Sequence, residues 1–109
     1  MQAFDLAHLF VKRAALGVPY LEFLRAPAMS LGLYTLAVGA TDEQTPHAED
    51  EGYYVVSGRA RIRVGNEDRA IEPGSIVFVP ARVPHRFHAI EQELTLLVFF
   101  APAEGTGLR

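Results

Sequence analysis

The sequence predicts an all-β fold, a sandwich or barrel of short strands behind a short N-terminal helix or arm. Three observations predict it. From Tyr20 onward, eight or nine strand-like segments follow one another at short spacing, separated by Gly- and Pro-containing turns. Arg59 to Val64 alternates strictly, with Arg59, Arg61 and Arg63 on one face and Ala60, Ile62 and Val64 on the other. After the N-terminal segment no second helical region appears, which argues against alternating βαβ units.

Residues 5–16 are expected to form a helix, with Asp5 as a candidate N-cap and Gly17 with Pro19 as the stop. Leu6, Leu9, Phe10 and Ala14 supply a partial apolar stripe, suited to packing across a sheet or onto a second subunit. His8 belongs to that helix as a surface or packing residue. Tyr20 to Arg25 alternates roughly until Ala26-Pro27, and Leu31 to Val38 stops at Gly39. Gly39 to Asp50 is polar and turn-rich. Tyr53 to Val56 reads as a buried strand, and Arg59 to Val64 as a half-exposed one. Gly65 to Asp68 is a hairpin loop, because Gly and Asn adopt positive φ cheaply. Arg69 to Ile71 pairs back, Glu72-Pro73-Gly74 turns again, and Ser75 to Val79, Pro84 to His88 and Leu94 to Phe100 complete the set.

With 109 residues, half of them apolar, the chain suits one small domain: an arm at 1–19, a core barrel at about 20–101 and a flexible tail at 102–109. A formal charge of −3 argues against a nucleic-acid partner, which normally meets a basic excess. No apolar run approaches the roughly 20 residues of a membrane helix, so no membrane partner is expected. The N-terminus has no cationic region ahead of its apolar part, and a cytoplasmic location is the default expectation. Cysteine is absent, which removes disulfides, thiolate ligands and cysteine nucleophiles. Any metal must be held by His, carboxylate, amide or hydroxyl groups.

Two blocks carry the chemistry. Gly39 to Gly58 places His47 and Glu51 just ahead of an apolar strand, and Gly74 to His88 answers with His85. Residues two apart on a strand share a face, so Thr45 and His47 can point alike, and Glu51 opens the next segment with the same parity. If both blocks face the interior of one barrel, His47, Glu51 and His85 converge. Two imidazoles and one carboxylate on one side of a divalent ion leave positions open for water or substrate. His88 lies on the opposite strand face from His85 and reads as exterior. The stripe of Arg59, Arg61 and Arg63 reads as a solvated sheet face that blunts edge pairing. Asp42, Glu43, Glu49 and Asp50 form an acidic approach, either a plain polar loop or a device that concentrates cations.

On these residues the chain resembles a single-domain cupin. The first cupin block is a glycine, five residues, His-x-His, three or four residues, a glutamate, six residues and a glycine. Here Gly39 precedes Thr45-Pro46-His47, then Glu51 and Gly58 at that spacing. The second block runs from Gly74 through Pro80-Ala81-Arg82 to His85 and Ala89, where the family carries Pro-x-Gly, a histidine and an asparagine. The resemblance implies a double-stranded β-helix, or jelly-roll barrel. It also implies one divalent transition metal (iron, manganese, zinc or nickel) on His47, Glu51 and His85, and a homodimer. The family's first histidine is Thr45 here, so Thr45 or Gln44 is left as the near-site or fourth-ligand candidate. Tyr53, Val55 and Phe87 are candidate pocket walls. The implied function is dioxygenase- or isomerase-type chemistry on a small organic molecule, with a non-catalytic binding or sensing module and an empty structural dimer as the alternatives.

Overall fold

The computed structural model describes residues 1–42 and 45–106; Glu43 and the ligand candidate Gln44 lie outside the described residues, as do 107–109. Helix α1 spans Leu6–Leu16 behind an extended Asp5, whose side chain makes no capping bond. Gly17 ends it in the left-handed region (φ 67°), its N–H donating to the carbonyls of Arg13 and Ala14. Six strands follow: β1 (Tyr20–Ala26), β2 (Met29–Leu36), β3 (Asp50–Val64), β4 (Glu67–Ile71), β5 (Ile76–Val79) and β6 (His85–Ala101). They pair in the order β1-β2-β6-β3-β4, with β5 also on β3, and every pairing is antiparallel.

The number of strands is lower than the turn residues suggest, because two of the apparent breaks are bends. Tyr53 to Val56 and Arg59 to Val64 are parts of one β3, whose ladder to β6 is irregular between Val55 and Arg61. Likewise the two C-terminal segments form one β6. Gly58 (φ 95°) and Ala89 (φ 49°) carry the local turn of the backbone. A bulge of this kind redirects a strand and increases its twist without ending it.

The β3–β6 ribbon is the spine. Asp50 pairs with Ala101 at one end and Val64 with His85 at the other. The rungs holding Glu51 and His85 are 13 residues apart along β3. At about 3.3 Å per residue a flat ribbon would set them ~43 Å apart, more than the longest dimension of the molecule, 36 Å. The ribbon therefore curls on itself, and its inner face closes over Leu36, Tyr53, Val55, Ile62, Ile71, Val79, Phe87, Leu94, Leu96, Val98 and Phe100. Fully burying each large aliphatic or aromatic side chain contributes about 1.5–3 kcal/mol, which sets the register firmly, since a slip of one residue would turn this set outward.

Outside the barrel, Leu9 of α1 packs on Leu21 and Leu33, with Leu6, Phe10, Phe23 and Leu97 around them. The helix thus covers a sheet, one of the two roles expected of it. Beyond its reach the outer face leaves Tyr54, Ile76, Phe78 and Phe99 exposed in adjoining rows, Gly52 pairing with both Phe78 and Phe99. The arginine stripe is solvated as expected: Arg59 meets Glu72 at 2.6 Å and Arg61 meets Asp68 at 2.7 Å.

The expectation of a flexible tail from residue 102 needs correction as far as Thr106. Ala103 is buried, and the Glu104 N–H donates to Ser30 Oγ at 3.0 Å. Arg25 Nη2 donates to the Glu104 carbonyl at 2.7 Å, and the Gly105 N–H donates to Glu49 Oε1 at 3.2 Å. Small, polar residues suggested fraying; partners remote in sequence hold them. The single helix among the described residues is not long and apolar enough to cross a membrane.

Candidate functional site

Alternation along β3 turns Glu51, Tyr53 and Val55 inward, and the first residue of β6 turns His85 inward. His47 reaches the same place from the irregular segment before β3, not from a strand. That segment is pinned because the Arg82 N–H donates to the His47 carbonyl at 2.6 Å. Arg82 itself is left-handed (φ 65°), where the resembling block carries glycine.

His47, Glu51 and His85 each offer one ligand atom, all within 4.8 Å of one another. Glu51 and His85 are buried, at 2 % and 7 % exposure, and His47 is half-buried. His85 Nε2 stands 3.0 Å from Glu51 Oε1, the distance of an ion pair. Neither atom is aligned for a hydrogen bond, and both are buried without another partner. The other ring nitrogen of His85 lies 2.9 Å from the Val83 carbonyl. Donation of Nδ1–H to that carbonyl leaves the Nε2 lone pair facing the carboxylate, an arrangement that calls for a cation between them. In the metal-free protein a proton serves. Burial pushes the His85 pKa down, but the Glu51 carboxylate, the Val83 carbonyl and the charge of Asp42 outweigh it, and the net shift is upward. A metal ion fits as well: two neighbouring donors bound at about 2.1 Å stand roughly 3 Å apart when at right angles.

Beside this trio lies a pocket of about 220 Å³ lined by Tyr20, Tyr34, His47, Glu51, Tyr53, Val98, Phe100 and Glu104. Of the expected walls, Tyr53 lines it. Val55 and Phe87 do not; they are buried in the core, Phe87 edge-on to Tyr53 at 4.8 Å, because their inward positions fall deeper in the barrel. Thr45 is exposed. His88 is exterior and bonds Asp68 at 2.7 Å. The acidic approach turns out to hold the backbone. Asp42 is buried, Oδ2 accepting from the Phe87 N–H at 2.9 Å and Oδ1 from the Tyr34 hydroxyl at 3.2 Å. Asp50 accepts from the Ala81 N–H at 2.9 Å, and Glu49 from Gly105.

Sequence reasoning missed three walls. Tyr20 and Tyr34 are direct cross-strand partners, a relation visible only once β1 is paired with β2. Burial first, and then acidic neighbours, hold both hydroxyls well above their ordinary pKa. Glu104 lies past the last strand, where no period exists to point it inward. Its Oε2 is 3.7 Å from His47 Nδ1, and burial, only partly countered by His47, raises its pKa.

Architecture and the paired blocks define the class, and the chain belongs to the cupin family: the cupin domain model matches residues 32–101. Along nearly its whole length it is similar to an uncharacterized protein of Streptomyces coelicolor, 54 % identical over 95 % of this chain and 99 % of that one. Among solved structures, TT1209 from Thermus thermophilus matches with a TM-score of 0.75 at 27 % identity, over 94 % of this chain and 99 % of that one. A chain from the crystal structures of the DMSP lyases RdDddP and RnDddQII matches with a TM-score of 0.69 at 29 % identity, over 82 % of this chain and 48 % of that one.

Proposed function

We propose that His47, Glu51 and His85 hold one divalent transition metal, and that the adjoining pocket takes a small organic molecule for isomerase- or lyase-type chemistry. One observation carries this reading: two buried polar atoms, Glu51 Oε1 and His85 Nε2, face each other at 3.0 Å with no hydrogen bond to satisfy either. Such a pair is costly unless a cation lies between its members. Iron, manganese, zinc and nickel all accept this donor set. When bound, the metal supplies Lewis-acid polarisation of a substrate oxygen.

The chain's own residues do the rest. Val83 fixes the His85 tautomer that presents Nε2 inward. Glu51 supplies the negative charge. Tyr20, Tyr34 and Tyr53 bring hydroxyls, and Glu104 a carboxylate, to the pocket; such groups move protons to and from a bound molecule. Val98 and Phe100 make its wall apolar and limit water. The likeness to a DMSP lyase chain supports the lyase side of the reading. The exposed row of Tyr54, Ile76, Phe78 and Phe99 supports a homodimer joined through that face.

Metal analysis of protein purified without added metal tests the proposal. About one equivalent per chain is expected, falling below roughly one-tenth in a His47→Ala/His85→Ala double variant. A wild-type content already below one-tenth and equal to that of the double variant would end it.

A further inference from the structure

We infer that the pocket recognises a small organic cation, an ammonium or similar onium group, with the Glu104 carboxylate as counter-charge and the rings of Tyr20, Tyr34 and Phe100 as walls. The inference rests on the metal-centre reading above and names the class of ligand taken beside it.

The lining residues are aromatic, aliphatic, histidine and acidic, with no lysine or arginine. An anionic ligand would meet Glu104 with no side-chain cation to offset the repulsion. A cationic one meets a carboxylate in surroundings that are largely apolar, where a charge pair is screened less than in water. Glu104 does not reach the pocket by accident of a loose tail. Its N–H is held by Ser30 and its carbonyl by Arg25, and its neighbour Gly105 by Glu49. Three anchors spent on two residues fix where this carboxylate points. Its nearest basic group is His47 at 3.7 Å, which is neutral when it serves as a metal ligand.

The walls are built for the same partner. Tyr20 and Tyr34 meet edge-to-face with centroids 6.0 Å apart, and Phe100 meets His47 likewise at 4.9 Å. Aromatic faces attract onium groups through the ring quadrupole. The Tyr20 ring lies against Gly32, where any Cβ would come within 2.2 Å of it, so the glycine makes room for this wall. The Tyr20 hydroxyl is buried with no partner among the described residues, and a ligand donor or acceptor in the pocket would satisfy it. A volume of about 220 Å³ equals roughly seven waters at ~30 Å³ each, enough for a ligand of that many heavy atoms.

The test is calorimetric titration of metal-loaded protein with choline and with its uncharged isostere 3,3-dimethyl-1-butanol, metal content being measured on the same samples. Choline is expected to bind about tenfold tighter, within the range an onium–aromatic contact supplies. Glu104→Gln is expected to shrink the gap to about twofold while leaving metal content unchanged, and Tyr20→Leu to weaken choline selectively. Equal binding of the two probes, or binding of neither up to ~10 mM, overturns the inference even if the metal is present at one equivalent. So does a Glu104→Gln variant that keeps the tenfold gap, or one that loses the metal, since Glu104 then serves the metal centre. A persistent preference for choline in protein that carries no metal would leave this inference standing and sink the metal reading alone.

Discussion

Replacing Gly58 by alanine should cost far more than making the same change at Gly74, although the two backbones are alike. Gly58 has φ 95° and Gly74 φ 92°, so the conformational penalty for an L-residue, about 1–2 kcal/mol, is common to both. Surroundings separate them. A Cβ on Gly58 would lie 2.2 Å from the Glu93 carbonyl oxygen and 2.7 Å from Leu94 Cα, against an ordinary contact of 3.4–4 Å, whereas one on Gly74 meets nothing within 4 Å. The obstacles are backbone atoms of β6, which cannot swing aside, so the strand must shift by about 1 Å at a cost of roughly 1–3 kcal/mol. Gly58→Ala should therefore lose about 2–5 kcal/mol in all, and Gly74→Ala only the shared strain. At roughly 5 °C per kcal/mol for a domain of this size, Tm falls by about 10–25 °C in the first and 5–10 °C in the second. Thermal unfolding of both metal-free variants followed by circular dichroism makes the comparison. Equal losses would refute the claim that close approach at Gly58 holds the bend in β3.

Ala89 sits in the left-handed region where the resembling block carries asparagine, so Ala89→Gly should raise stability by about 0.5–1 kcal/mol, read as a higher urea midpoint. Tyr34→Phe should cost about 1 kcal/mol, and Asp42→Ala about 2–4, because the latter strands the Phe87 N–H as well as the Tyr34 hydroxyl; denaturant titration ranks the two. Because the His85 pKa is raised in the metal-free protein, its contribution is whole below the unfolded value near ~6.5 and is lost as pH climbs through the folded value. Metal-free Tm should then decline above that pH, with the decline absent in His85→Ala. Metal binding needs the neutral ring, so the Tm gained on adding metal should grow over the same range. Phe78→Glu on the exposed row should convert a dimer to a monomer on sizing chromatography; a monomeric wild type would remove that reading.

Residues whose position follows from strand period or block spacing were legible beforehand. Arg59 to Val64, the inward parity of Glu51 and Tyr53, and the exterior place of His88 all follow from a repeat of two. The convergence of His47, Glu51 and His85 followed from the spacing of two blocks. Other features carry no such signal. Gly58 and Ala89 look like strand ends because a bulge and a turn share the same residue preferences. Asp42 and Glu49 read as loop charges, yet each is buried on a backbone N–H supplied from far along the chain. Glu104 was hidden by lying beyond the last strand, where only the tertiary anchors on Ser30 and Arg25 determine its direction.

The curl of the β3–β6 ribbon has a consequence for how the site comes into being. Glu51 and His85 sit near opposite ends of one continuous ladder and touch only when that ladder has closed on itself. No fragment containing a single block can assemble the trio, and no local opening of one strand end can leave it intact. Amide hydrogens at the two ends should exchange together and slow together when a metal is added, as if a clasp had been fastened across a bracelet. Affinity at this centre is then a direct gauge of ring closure, and a change at the far side of the ring should register there before it registers in any nearer side chain.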